Sequence, residues 1–207
     1  MRDQAQTVII GGGIAGLSIA YHLALEGMTD VVLLEKGLLT SGSTCHAAGL
    51  VTGFHTSLSI MEMRLYSARL YADFMKEAGD ASGWHPTGSL RVASGKTQLN
   101  ALKQAVSKAK GIGLDLELLS PEEAGRMWPA LSLDDVEGAI YLPDDGWLDP
   151  HGMTSLLAQK ARAMGVTIET GTLVTDIELS PQRAVTGVVT DRGRIQCENV
   201  VCACGMW

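Results

Sequence analysis

A strand, a glycine-rich turn, a helix and a second strand follow one another at the start of the chain. The run "TVII", Thr7 to Ile10, is rich in β-branched residues and is followed at once by glycines. The segment "GIAGLSIAYHLALEG" then has helical spacing up to a glycine stop, and "DVVLLEK" reads as a fully buried strand. This order constrains the fold more than any other feature, because it predicts a βαβ unit in a parallel sheet.

The glycines of this unit have the spacing G-x-G-x-x-G in "GGGIAG". Such glycines allow a tight turn, a close approach of backbone to a pyrophosphate, and close packing of helix on sheet. Glu35 ends the second strand nineteen residues after Gly16, where a carboxylate accepts ribose hydroxyls and repels a 2'-phosphate. We therefore expect FAD or NAD rather than NADP. The residues predicted to contact it here are Gly11, Gly13, Ile14, Ala15, Gly16, Glu35 and Lys36.

The block "SGSTCHAAGL" favours FAD over NAD. Ser41, Gly42, Ser43 and Thr44 offer backbone N–H groups and hydroxyls suited to phosphate oxygens. His46 lies eleven residues after Glu35, and an extended chain of that length spans roughly 36 Å, enough to reach a flavin ring.

Composition and charge exclude several classes of partner. The 207 residues carry a net charge of -7 with no basic run, which argues against nucleic acid or an anionic membrane surface. There is no apolar run long enough to cross a bilayer, so no membrane insertion is expected. A hydrophobic content of 46% supplies a buried core. A small-molecule partner is the expectation.

The four cysteines predict reduced thiols rather than disulfides or a metal site. Cys202 and Cys204 project from the same side of one strand, which makes them poor disulfide partners. Zinc is the alternative, but the spacing matches no usual ligand pair. The N-terminus shows neither a secretory nor a transit segment. We expect a cytoplasmic, bacterial enzyme.

The whole chain is predicted to divide into three segments. The first and third, residues 1–84 and 148–207, build a Rossmann-like FAD/NAD(P)-binding domain. The second, residues 85–147, forms an inserted α+β substrate-side subdomain. A long helix is predicted from Ser59, with Ser59 and Glu62 as a capping box and a core face of Ile60, Met63, Leu70 and Phe74. Ser120 is predicted to cap one further helix and Asp149 another.

The last segment predicts a β-hairpin turning at residues 191–193, which serves as a crossover, and then a buried strand from Val200 to Ala203. The chain ends directly after a glycine-bearing turn. We therefore expect a C-terminally truncated domain.

These motifs resemble the FAD domain of the dimethylglycine and sarcosine dehydrogenases, within the D-amino-acid-oxidase-like flavoproteins. The resemblance rests on the glycine motif, Glu35 and "SGSTCHAAGL", and continues through "GSLRVAS", "DGWLDP" and "VVCACGMW". It implies that His46 carries FAD covalently through the 8-methyl carbon of the ring. It also implies further cofactor contacts at Ala48, Gly49, Leu50, Val174, Ala203, Gly205 and Trp207.

The resemblance further implies an FAD-dependent oxidoreductase that oxidises the C–N bond of an N-methylated glycine, with an unidentified electron acceptor. Tetrahydrofolate is expected only if a further C-terminal domain is present. No residue can be assigned as catalytic base. Because the family often has Trp where this chain has Cys45, a non-covalent flavin or a linkage through Cys45 stays open. The remaining alternatives are another oxidase on this scaffold with non-covalent FAD, a non-catalytic regulatory relative, and a structural fragment without independent activity.

Overall fold

A computed structural model describes residues 2–206 and contains five α-helices and thirteen strands within that range. The helices are α1 (Ile14–Leu25), α2 (Leu58–Ala78), α3 (Lys96–Gly111), α4 (Pro121–Met127) and α5 (Pro150–Ala163). The strands are β1 (Thr7–Ile10), β2 (Val31–Glu35), β3 (Leu50–Val51), β4 (Trp84–His85), β5 (Ser89–Ser94), β6 (Glu117–Leu119), β7 (Val136–Leu142), β8 (Gly146–Leu148), β9 (Thr167–Thr170), β10 (Val174–Leu179), β11 (Val185–Thr190), β12 (Gly193–Gln196) and β13 (Asn199–Cys202). Short 3-10 helices occupy Ser43–His46 and Gly79–Ser82.

The first of two compact units contains the chain up to Ala48 and again from Asp149. Its main sheet is parallel, in the order β13-β1-β2-β9, so the predicted βαβ unit is confirmed. Helix α1 packs against α5. Strands β10, β11 and β12 form an antiparallel meander, with the predicted turn between β11 and β12. The core between sheet and meander contains Val8, Val32, Leu34, Val188 and Ile195.

The second unit, residues 49–148, has an α+β architecture. One antiparallel sheet has the order β5-β7-β6 and a smaller one the order β3-β8-β4. Its core is formed by α2, α3 and β7, and includes Phe54, Met61, Leu65, Ala109 and Ile140. The unit begins at residue 49 rather than at the predicted residue 85, because α2 packs on α3 and contributes side chains to the same hydrophobic core as α3 and β7.

Helix α2 differs from its prediction at its start and along its face. It begins at Leu58 with Ser57 at the N-cap, so Ser59 lies inside the helix and the predicted capping box is wrong. Of the predicted core face Phe74 is buried, whereas Ile60 and Met63 are exposed. The buried positions are Met61, Leu65, Ala68 and Phe74.

Two other predicted helix caps are confirmed. Ser120 and Glu123 form a reciprocal capping box on α4, and Asp149 accepts hydrogen bonds from two backbone amides at the start of α5. The predicted burial of the last strand is wrong. The two end residues of β13 are exposed and the two between them are half-buried, because β13 is the edge strand of the parallel sheet.

Candidate functional site

A cavity of about 760 Å³ opens at the carboxyl ends of β1, β2 and β13. This is the edge at which open α/β sheets bind ligands. Most of the residues predicted to contact the cofactor line it. The lining residues are Ile10, Gly11, Gly13, Ile14, Ala15, Leu34, Glu35, Lys36, Thr40, Ser41, Gly42, Ser43, Thr44, Thr172, Leu173, Val174, Cys202, Ala203, Cys204 and Gly205.

The glycine turn between β1 and α1 has room for backbone but not for side chains. A Cβ added at Gly11 would lie 2.3 Å from the carbonyl oxygen of Ala203, and the φ of Gly11 is 116°. A Cβ at Gly16 would lie 2.0 Å from the carbonyl oxygen of Gly11. Gly16 therefore lets α1 close onto the turn and supports the cavity from outside its lining.

The N-terminus of α1 is partly satisfied by a side chain. The Ile14 amide donates to Thr44 Oγ1 at 3.0 Å, and Thr44 is buried. A hydroxyl that accepts this bond still has its own O–H to donate. Thr44 thus joins the helix end to the loop, and its hydroxyl hydrogen remains available to an anion at this positively polarised end.

Glu35 holds two loops together with its two carboxylate oxygens. The Gly12 amide donates to Oε2 and the Gly37 amide donates to Oε1, each at 2.7 Å. Each oxygen keeps a further lone pair, so ribose hydroxyls can still donate to the same carboxylate. Glu35 therefore has a structural contact in addition to the predicted ribose contact.

Residues 36–47, here called the β2 loop, carry the hydroxyl groups of the cavity wall. Ser41, Gly42, Ser43 and Thr44 all line the cavity. The loop is tied to the glycine turn by the Thr40 amide, which donates to the Gly12 carbonyl at 3.1 Å.

His46 ends the 3-10 helix of the β2 loop and is exposed, outside the cavity lining. Its Nδ1 lies 3.1 Å from the Gly42 carbonyl oxygen and 3.3 Å from Cys45 Sγ. A carbonyl only accepts, so Nδ1 carries the proton in this bond, and in the neutral ring Nε2 is the atom with the free lone pair. This bond therefore selects the tautomer of the neutral ring that carries its hydrogen on Nδ1.

The remaining residues of the histidine block lie elsewhere. Ala48 is the last residue of the first unit before the chain enters the second. Gly49 has a φ of 72°, and a Cβ there would lie 2.1 Å from the Leu148 carbonyl oxygen, so it shapes the second unit. Leu50 starts β3 opposite Trp147 and is exposed. The predicted contact at Trp207 lies outside the described residues.

Several cavity residues were not predicted from the sequence. Ile10, Leu34 and Cys202 are the last or next-to-last residues of their strands, and strand position is the signal that identifies them. Thr172 is buried, and its amide donates to the Glu35 carbonyl at 2.9 Å. Thr40 and Leu173 carried no sequence signal.

The four cysteines are free thiols, and burial raises the pKa of both Cys197 and Cys204. Within residues 2–206, no group of three or more His, Cys, Asp or Glu is arranged to hold a metal ion. No helix in the described range is both long and apolar enough to span a membrane.

The cavity suits a dinucleotide. Its wall combines a glycine turn that a Cβ would fill, a helix N-terminus, a carboxylate at the second strand and a hydroxyl-bearing loop. These are the groups that recognise a pyrophosphate and a ribose.

Comparison with known proteins agrees with this geometry. Residues 6–207 match the family model described as DAO, FAD dependent oxidoreductase. The chain is 38% identical over its whole length to dimethylglycine dehydrogenase from Rattus norvegicus and covers 24% of that protein. It is 39% identical to the pyruvate dehydrogenase phosphatase regulatory subunit from Mus musculus, over 99% of this chain and 23% of that protein. The chain thus spans about a quarter of the length of these relatives.

A solved structure shares the fold. L-proline dehydrogenase from P. horikoshii superposes with a TM-score of 0.90 at 28% identity, covering 98% of this chain and 53% of that one. The predicted fold class, a Rossmann-like domain with an inserted α+β subdomain, is therefore confirmed.

Proposed function

Since this chain belongs to the family of FAD dependent oxidoreductases, we propose that its cavity binds FAD and that the full-length protein oxidises the C–N bond of a small N-methylated amino acid. Sarcosine and dimethylglycine are the proposed substrates. The observation that carries the proposal is the cavity itself, which unites the glycine turn, Glu35 and the β2 loop. Identity of 38% to a dimethylglycine dehydrogenase supports the substrate class.

We assign the residues of the cavity to successive parts of the cofactor. Glu35 and Lys36 bind the adenosine ribose, and the backbone of Val174 meets the adenine. The start of α1 and the Thr44 hydroxyl bind the pyrophosphate, because that helix end is positively polarised. At Ala203 and Gly205 the backbone comes close to the cofactor at a second place. The electrostatic attraction for the pyrophosphate is confined to this helix end, because the chain as a whole carries a net negative charge.

When bound, FAD supplies the two-electron acceptor for a hydride that leaves the N-methyl carbon, after which the substrate iminium hydrolyses to formaldehyde. The described residues bind and orient this acceptor. Transfer of the one-carbon unit to tetrahydrofolate requires a further domain in the full-length protein.

We further propose that His46 holds the flavin covalently through Nε2. The bond between Nδ1 and the Gly42 carbonyl supports this assignment, because it leaves the lone pair on Nε2 of an exposed ring. Cys45 Sγ also lies against the Gly42 carbonyl, at 3.2 Å, so the thiol has a hydrogen-bond partner within the loop. We assign Cys45 a supporting role beside the imidazole.

Acid precipitation tests the linkage. Flavin should remain with the denatured full-length protein and with Cys45→Ala, and should be released from His46→Ala. Retention of flavin by His46→Ala would overturn the assignment to His46. Loss of flavin from the unmodified protein would show that the cofactor is not covalently bound.

Anaerobic mixing tests the reaction class. Sarcosine or dimethylglycine should bleach the visible absorbance of the bound flavin, and formaldehyde should form in equal amount. Bleaching by a D-amino acid without formaldehyde would identify another oxidase on this scaffold. A flavin that neither substrate reduces would favour a non-catalytic role, the second candidate, which the 39% identity to a regulatory subunit supports.

A further inference from the structure

Thr40, in the β2 loop, has a backbone conformation that is unfavourable for its side chain. Its φ is 69°, in the left-handed region, where a β-branched residue is an outlier. Thr40 is only 4% exposed and lines the cavity. A strained residue persists at such a place when the surrounding contacts over-determine its conformation.

Three hydrogen bonds hold Thr40 in this conformation. Its amide donates to the Gly12 carbonyl at 3.1 Å, and its carbonyl accepts from the Cys45 amide at 3.2 Å. The third bond joins Thr40 Oγ1 and His151 Nδ1 at 2.7 Å. The two backbone bonds stay within the glycine turn and the β2 loop, whereas the side-chain bond reaches α5.

Helix α5 is a firm support for that third bond. His151 is its second residue, and the His151 amide donates to the N-cap Asp149 Oδ1 at 3.0 Å. Two turns of the helix are anchored by the buried side chains of Met153 and Leu157. The imidazole is therefore attached to a packed helix, while its partner belongs to an irregular loop.

We propose that His151 is a positioning residue for cofactor binding: its imidazole holds strained Thr40 so that the next four residues of the β2 loop, 41–44, present their amides and hydroxyls to the cavity. Without this bond, Thr40 relaxes toward negative φ. The segment that follows then turns away from the cavity wall. This role rests on FAD binding in the cavity, and is independent of the substrate.

The test uses full-length protein carrying His46→Ala, so that FAD binds reversibly, and measures the FAD dissociation constant by flavin fluorescence. Loss of one neutral hydrogen bond should raise that constant about three- to tenfold in either His151→Ala or Thr40→Val. Because both changes break the same bond, the double variant should be no weaker than the poorer single variant. Effects that multiply in the double variant would overturn the proposal.

Conservative variants separate positioning from general destabilisation. Thr40→Ser keeps the hydroxyl, and His151→Asn places a polar atom where Nδ1 lies, so both should restore most of the affinity. Gln159→Ala, at an exposed position on the same helix, should leave the dissociation constant unchanged. If His151→Asn binds FAD as weakly as His151→Ala, the hydrogen bond is not the cause.

Amide hydrogen exchange of the His46→Ala protein without FAD gives a second, independent readout. Amides 41–46 should exchange faster in His151→Ala than in the parent, while amides of β2 stay unchanged. Unaltered exchange at 41–46 would refute the role of His151. Failure of the unmodified full-length protein to hold FAD would instead refute the proposed function, and this exchange measurement would still decide whether His151 holds the β2 loop in place.

Discussion

Replacing Glu35 with glutamine should loosen the cavity even before a cofactor binds. The carboxylate accepts the Gly12 and Gly37 amides at 2.7 Å each, so it bridges the glycine turn and the β2 loop. A glutamine side chain has one acceptor oxygen, and its NH₂ group would face the other amide donor. The glutamine variant therefore loses one charge-assisted hydrogen bond, and one of the two backbone N–H groups faces the NH₂ group of the glutamine.

The expected size follows from these two bonds. A hydrogen bond to a charged group contributes about 1.5–3 kcal/mol, and we take the lower end, about 1.5–2 kcal/mol, because Glu35 is half-buried. Since about 1.4 kcal/mol corresponds to a factor of ten, local opening should become roughly ten to thirty times more frequent. The FAD dissociation constant should rise as well, because a ribose acceptor loses its charge.

Amide hydrogen exchange of full-length His46→Ala protein without FAD measures this opening at the Gly12 and Gly37 amides. Glu62→Gln, an exposed position on α2, is the matched control and should leave both amides unchanged. If Glu35→Gln exchanges at these amides as slowly as Glu62→Gln, the bridge does not close the cavity and the reasoning fails.

Two further changes test packing and electrostatics. Gly16→Ala puts a methyl group 2.0 Å from the Gly11 carbonyl oxygen, so urea unfolding should show a loss of about 2 kcal/mol or more; an unchanged midpoint would contradict the packing. Burial raises the pKa of Asp145, although Ser89 Oγ and the Gly53 amide donate to it. Its folded-state pKa thus exceeds the unfolded value, so the folded state gains stability as pH falls through that window. Asp145→Asn accepts from the Gly53 amide through its side-chain oxygen and donates from its NH₂ group to the Ser89 hydroxyl, so it keeps both bonds without the charge. It should be at least as stable as the parent at pH 7, with an advantage that shrinks as the pH falls; an advantage that grows on acidification would contradict this.

The sequence predicted the parts of the site that have local causes. The glycine turn, Glu35 and the hydroxyls of the β2 loop follow from backbone sterics and phosphate chemistry within one βαβ unit, and the structure brings them to one cavity. The caps at Ser120 and Asp149 are equally local, since each depends on residues one to three positions away.

Features that depend on distant partners were not predicted. The bond from Thr40 to His151 joins residues 111 positions apart, and no periodicity identifies it. Packing against α3 and the core of the second unit determines which face of α2 is buried. Ile60 and Met63 were predicted on the buried face because they are apolar, but they are exposed. Half-burial of β13 follows from its edge position, which a single strand does not reveal.

The location of FAD is tested most directly by the cysteines of the cavity. Cys202 and Cys204 are exposed and line it, whereas Cys197 is buried. Although Cys204 is exposed, partial loss of its hydration raises the pKa of its thiol, so labelling uses iodoacetamide at mildly alkaline pH, on full-length His46→Ala protein with and without FAD. Saturating FAD should slow alkylation of Cys202 and Cys204 about tenfold or more. Equal labelling rates in protein shown to hold FAD would place the cofactor elsewhere and contradict the account.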